Sequence, residues 1–137
     1  MKSLAVIVSE GSTNNFIQVL TLLLAAVHSE IATRVLFRDA SLFRLTPEGI
    51  KQVMLSGEYA AQREAFEARL KKHDLADLQL LLSQIKQSGD VKVYACSSSM
   101  ALCGLKREQL IPEVDEVRGL PAFLLEDVAS ADKVLTF

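Results

Sequence analysis

The feature that most constrains the fold is the run Leu4-Ala5-Val6-Ile7-Val8, five side chains without a polar atom. A strand with one wet face carries polar residues at every second position. An unbroken apolar run reads as a strand with both faces covered by helices. The polar stretch Ser9 to Asn15 follows, and Ser12 to Asn14 offer N-caps for a helix running through Ile17, Leu20, Leu24 and Val27. Strand, polar turn and helix make half of a βαβ unit.

The alternation continues. Thr33 to Phe37 reads as a second strand, broken by Arg38-Asp39-Ala40-Ser41. Thr46-Pro47-Glu48-Gly49 opens a short helix with Pro47 at its first position. Two helical segments are expected from Glu58 to Lys72 and from Asp74 to Gln87. In the second, Leu75, Leu78, Leu82 and Ile85 fall on one face, with Asp77, Gln84 and Lys86 on the other. Val91 to Ala95 is the third strand, with Cys96 at its tip and a short helix from Ser97 or Ser98 to about Gly104. A brief strand at Val114 to Val117, a helix at Pro121 to Val128 and a closing strand at Lys133 to Phe137 complete the chain. Strands alternating with helices imply right-handed crossovers and a parallel sheet. The expected architecture is a single α/β domain over residues 1–137: a doubly wound, mainly parallel five-stranded sheet with helices on both faces and flavodoxin-like layering.

Composition narrows the function. Half of the 137 residues are hydrophobic and the mean hydropathy is +0.24, high for a soluble monomer, so apolar surface covered by a second copy is expected. The formal charge of −2, the absence of Trp and an aromatic content of 6% leave little to bind phosphates or stack bases, so nucleic acid is not an expected partner. The most apolar stretch, Phe16 to Val27, contains Gln18 and Thr21 and falls short of the ~20 residues a bilayer requires. No membrane insertion is expected. Met1-Lys2-Ser3 runs straight into the first strand without an export signal, which points to the cytoplasm. There, two cysteines are expected as free, catalytic or redox-active thiols rather than as a structural bridge.

In parallel α/β folds, sites form at the carboxyl ends of strands. Here that rule points to Ser9 to Asn14, Arg38 to Ser41, and Cys96 to Ser99. A thiol just past a strand and at a helix start meets free N–H groups and the positive end of the helix dipole, both of which favour thiolate. Cys96 thus reads either as a nucleophile or as a small buried hydrophobe, and Ser97, Ser98 and Ser99 either as donors to a sulfur anion or as helix caps. Cys103, seven residues on, lies about 10 Å along a helix axis, beyond the ~7 Å that a disulfide allows between Cα atoms. It is a packing residue or a possible second thiol. His28 and His73 have no partners at metal-ligand spacing, so no metal site is expected. Gly11 stands outside any GxGxxG or GxxxxGK pattern. Lys71-Lys72 and Lys106-Arg107 read as solvated faces, the latter pair also placed to meet an acidic partner.

Taken together, the run LAVIV, the long helix LTLLLAAV, the strand ending at Phe37, the strand VKVYAC, the segment VDEVRGL and the closing ADKVLTF resemble the DsrE/DsrF-like sulfur-relay proteins. The resemblance spans nearly the whole chain and is most specific at Cys96 and at Ala131 to Phe137. It implies a compact α/β subunit of a homotrimer or hexamer that carries sulfane sulfur as a persulfide on Cys96, exchanging it with donor and acceptor proteins and requiring no cofactor. Arg38-Asp39 and the helical insert from Glu58 to Lys72 depart from some branches. Several members lack the cysteine and serve as structural subunits, so a non-catalytic assembly or regulatory subunit is the alternative. A small-ligand module using the Ser9 to Asn14 turn as an anion site is another.

Overall fold

The computed structural model describes residues 1–137. Strands β1 (Ser3–Val8), β2 (Ala32–Phe37), β3 (Val91–Cys96), β4 (Glu116–Arg118) and β5 (Lys133–Thr136) form one sheet in the order β4-β3-β2-β1-β5. Every pairing is parallel. The helices are α1 (Thr13–His28), α2 (Gly57–Ala61), α3 (Arg63–Lys72), α4 (Leu78–Ser88), α5 (Ser97–Cys103) and α6 (Leu120–Ala122). A 3₁₀ segment, Asp39–Leu45, follows β2, and a π-helical turn, Phe123–Val128, continues α6. The expected five-stranded α/β architecture is the one that forms.

Paired residues of parallel strands point to the same side, so the register divides the sheet into two faces. Leu4, Val6, Val8, Val35, Phe37, Val93 and Ala95 share one face with the apolar stripes of α1 and α4, the 3₁₀ segment and Met100 of α5, forming a cluster of 22 buried residues. Ala5, Leu36, Tyr94 and Cys96 share the other face, where only Phe123 joins them as a buried fifth member. The chain steps from β1 to β4 with α1, α4 and α5 packed on the first face, then returns over the second through α6 and the π turn to place β5 beside β1.

Local chemistry explains the boundaries. Ser12 caps α1, its Oγ accepting from Asn15 N at 3.2 Å. Phe16, Val19, Leu20, Leu23, Ala26 and Val27 then recur at the spacing of one helical face. Ile17 and Leu24, expected on that stripe, lie half-buried at its margins. Asp77 caps α4, its carboxylate accepting from Leu80 N at 3.0 Å, so the helix begins at Leu78 rather than at Asp74. The stretch expected as one helix from Glu58 to Lys72 is two helices that meet at Gln62, whose φ of −121° and ψ of 33° lie outside helical geometry. The helix expected at Pro47 is a hydrogen-bonded turn. There Thr46 Oγ1 accepts from Gly49 N at 3.0 Å, Thr46 O from Ile50 N at 3.0 Å and Glu48 O from Gln52 N at 3.1 Å, and the turns end at Gln52 without forming a regular helix.

The brief strand expected at Val114 to Val117 lies at Glu116–Arg118, because the Asp115 side chain takes the Val93 N–H at 2.7 Å, where a strand neighbour would offer backbone. The helix expected from Pro121 to Val128 is split between α6 and the π turn. At Gly11 the β1–α1 turn passes so close to the 3₁₀ segment that a Cβ would sit 2.5 Å from Ala40 O. Gly104 ends α5 in the left-handed region at φ 67°. No helix is long and apolar enough to cross a membrane.

Candidate functional site

β3 delivers Cys96 to the carboxyl edge of the sheet, and α5 starts at the next residue. The side chain of Cys96 is on the sparsely covered face, with Tyr94 two residues back on the same strand and Arg118 beside it in the β3–β4 register. Phe123 packs over this group, its ring edge-on to that of Tyr94 at a centroid distance of 6.2 Å. The Arg118 guanidinium lies 5.1 Å from the centroid of the Tyr94 ring. It binds Asp127 at 2.7 Å and Glu116 at 3.1 Å, and also Glu126. Burial disfavours the charge on Arg118, but its bonds to Glu126, Asp127 and Glu116 outweigh burial and raise its pKa. Arg118 thereby ties the end of β4 to the π turn that covers the thiol.

Cys96 has no solvent-exposed surface. Burial alone would hold the thiol protonated. Against burial stand the Ser98 hydroxyl, which hydrogen-bonds the sulfur, and then the nearby Ser99 backbone and hydroxyl and Ser98 backbone, and the net result is a pKa below the ordinary thiol value. The Ser98 Oγ to Cys96 Sγ distance is 3.3 Å. Thiolate, the nucleophilic form, is therefore favoured by donors from the first turn of α5. Tyr94 moves the other way: burial, then the charge of Asp127, raises its pKa and keeps the hydroxyl neutral.

Cys103 does not join this group. It packs at the margin of the large cluster on the opposite face, and its thiol donates to Asp39 O at 3.7 Å. Both cysteines are free, and the sheet separates their surroundings. Among the other positions singled out at strand ends, Ser99 Oγ reaches Asp39 Oδ1 at 3.5 Å, while Ser41 Oγ donates within its buried turn, to Val8 O or Arg38 O. The Ser9 to Asn14 turn is a poor anion site. Glu10 carboxylate accepts from Ser12 N at 2.7 Å and Met54 O from Thr13 N at 2.6 Å, and Asn15 N is capped by Ser12. Arg107, paired with Lys106 in the sequence, donates to Asp115 O at 3.3 Å. No group of three or more His, Cys, Asp or Glu residues is arranged to hold a metal.

Three residues emerge that the sequence did not single out. Arg118 and Phe123 build the surroundings of Cys96; an arginine among acidic neighbours and one phenylalanine in an apolar run carry no signal of that. Arg44 is the third, buried beside the turn after β2.

The model of the DsrE/DsrF/DrsH-like family matches residues 12–136. The chain belongs to the DsrE/DsrF/DrsH-like family. That family is associated with sulfur relay. Among solved structures, the protein of unknown function MTH1491 from Methanobacterium thermoautotrophicum is similar at a TM-score of 0.63 and 13% identity, covering 98% of this chain and 99% of that one. At that identity the likeness shows the fold. No curated protein matches the chain.

Proposed function

We propose that this DsrE/DsrF/DrsH-like protein is a sulfur carrier in which Cys96 accepts sulfane sulfur as a persulfide and passes it to a partner thiol. The observation that carries this reading is the hydrogen-bonded thiol at the end of β3, whose pKa is lowered in spite of full burial. In the first step Cys96 thiolate attacks the outer sulfur of a donor persulfide. A new S–S bond forms on Cys96, the donor's S–S bond breaks, and the donor leaves as thiolate. In the second, an acceptor thiolate attacks the outer sulfur of the Cys96 persulfide, and Cys96 leaves as thiolate. Sulfane sulfur moves with no net oxidation, so neither metal nor organic cofactor enters.

The working unit in this reading is a cytoplasmic homo-oligomer, a trimer or hexamer. Its support is apolar: Leu124, Leu125, Val134 and Leu135 are exposed, and β5 has a free edge. Cys103 stands apart from the reaction, packed on the other face.

A second reading is favoured by one observation, the zero exposure of Cys96: a structural subunit in which the thiol only packs. Incubation with polysulfide followed by mass spectrometry separates the two. The carrier gains about 32 Da per sulfur on Cys96, the adduct disappears in Cys96→Ser, and it survives Cys103→Ser. An unmodified Cys96, or an adduct that only Cys103→Ser removes, leaves the structural reading standing.

A further inference from the structure

Outside the carboxyl ends of β1 and β2 lies a cavity of about 440 Å³, within the range of about 300–1,000 Å³ usual for small-molecule sites. Glu10 and Ser12 stand on one side, and Ala40, Phe43, Met54 and Leu55 supply apolar wall. Arg44 also lines it, although its residue is only 5% exposed. Arg44 Nη1 donates to Gln52 O at 3.0 Å, but no protein group accepts from Nε, which is buried, or from Nη2. No carboxylate pairs with this guanidinium, in contrast to Arg34, Arg38, Arg63 and Arg118. Buried cations ordinarily have a counter-ion, because removal from water costs several kcal/mol otherwise. Desolvation lowers the pKa of Arg44, with no charge partner opposing it.

We propose that this cavity binds a small organic monoanion, with a carboxylate or like oxyanion head on Nη2 of Arg44, the guanidinium nitrogen that is neither buried nor hydrogen-bonded, and an apolar body against Ala40, Phe43, Met54 and Leu55. Nη2 carries two N–H donors, and a hydrogen bond from a charged donor to an oxyanion is stronger than one between neutral groups. Charge limits the ligand to one negative unit. Arg44 is the single cation lining the cavity, the Glu10 carboxylate stands at its rim, and Ser12 N and Thr13 N of the nearby α1 start already have acceptors. A dianion such as phosphate would meet too few donors and one repelling carboxylate. The proposal does not rest on Cys96, whose cluster lies on the opposite face of the sheet.

The test is calorimetric titration of the full chain with benzoate, benzyl alcohol and inorganic phosphate, paired with thermal melts. Benzoate is expected to bind saturably at one site per chain and to raise Tm. Benzyl alcohol and phosphate are expected to bind about tenfold more weakly or not at all. Arg44→Met keeps the bulk and removes the charge. It is expected to weaken benzoate by about tenfold or more while raising the Tm of the unliganded protein, since it deletes an unpaired buried cation. Should Arg44→Met fail to fold, Met54→Trp, at an exposed wall position, is expected to fill the cavity and abolish binding with the charge retained. Cys96→Ser is expected to leave binding unchanged. The proposal is overturned by the absence of saturation at millimolar benzoate, by equal affinity in both wall and charge variants, or by phosphate binding as tightly as benzoate.

Discussion

The two faces of the sheet are built to different depths. One buries twenty-two residues beneath α1, α4, the 3₁₀ segment and α5; the other buries five beneath α6 and a single π turn. Hydrophobic stabilisation grows with the apolar area removed from water, at roughly 25 cal/mol per Å², so the thick face supplies most of what holds the chain folded. The thin face carries Cys96, the residue with the most reactive chemistry. Local openings draw on regions with few buried contacts. The cover of Cys96 is therefore expected to open at a cost below that of global unfolding, which is the access to a fully buried thiol that the proposed sulfur exchange requires.

The strongest way to break this comparison is to truncate one residue on each face. Leu82→Ala, beneath the thick face, is expected to lower the unfolding free energy by about 2–5 kcal/mol in denaturant titrations. Phe123→Ala is expected to cost less than Leu82→Ala and to speed alkylation of native Cys96 by at least about tenfold, the fold-change of ~1.4 kcal/mol in local opening. Equal stability losses, or alkylation that tracks global stability in both variants, would make the two faces one cooperative unit.

Arg118→Met probes the tie between β4 and the π turn. Arg118 is 13% exposed and Asp127 is 11% exposed, so removal of the guanidinium leaves a largely desolvated carboxylate unpaired. The expected loss is about 1–3 kcal/mol, with faster alkylation of Cys96 as the turn loosens. A stability loss without faster alkylation would show that the ion cluster holds β4 but does not hold the cover.

Smaller still is the effect of Ser98→Ala. Its hydroxyl is the first of the donors that outweigh burial at Cys96, so the pKa of the thiol is expected to rise. Read from alkylation rate against pH, the midpoint moves upward, and at pH values below the wild-type midpoint the variant reacts more slowly. An unmoved midpoint would assign the activation to the Ser99 donors and the Ser98 backbone alone.

The smallest expected effect lies at the edge where β5 meets β1. Asp132 carboxylate accepts from Lys2 N at 2.6 Å and from Ser3 N at 3.0 Å, and these bonds lower its pKa. A carboxyl depressed in the folded state stabilises above its unfolded pKa, and that contribution is lost as pH falls through the folded value. Asp132→Ala is expected to reduce Tm slightly at neutral pH and to remove part of the acid dependence below the ordinary aspartate range. A Tm difference that persists unchanged in acid would point to packing rather than charge.

Much of the fold was legible because the strands announce themselves. Leu4 to Val8 is an unbroken apolar run that reads as a strand covered on both faces, Val91 to Cys96 is apolar but for Lys92, and the placement of Cys96 at a strand tip followed directly. Boundaries set by one side chain were not legible: Asp77 as the α4 cap, or the Asp115 carboxylate replacing a strand neighbour. The inequality of the two faces had a faint signal. Arg34 and Lys92 interrupt β2 and β3 at positions that are register partners, so both land on the thin face, but that pairing is invisible until the register is known. Cys96 and Cys103 stand at the two ends of α5, as the helical spacing implied, and their side chains in addition enter clusters on different faces of the sheet.

The π turn over Cys96 has a consequence for chain length. A π turn is an α turn with one residue more, and each residue of a helix advances the direction of its side chain by about 100°. Deleting one residue between Phe123 and Val128 would restore regular pitch and swing the residues on either side of the cut by that angle relative to one another. Phe123 and Val128, which pack together against the Cys96 cluster, would no longer face it together, while the strands and the thick face would be untouched. A single-residue length difference in this segment is thus expected to decide how tightly the thiol is sealed, independently of whether the cysteine itself is kept.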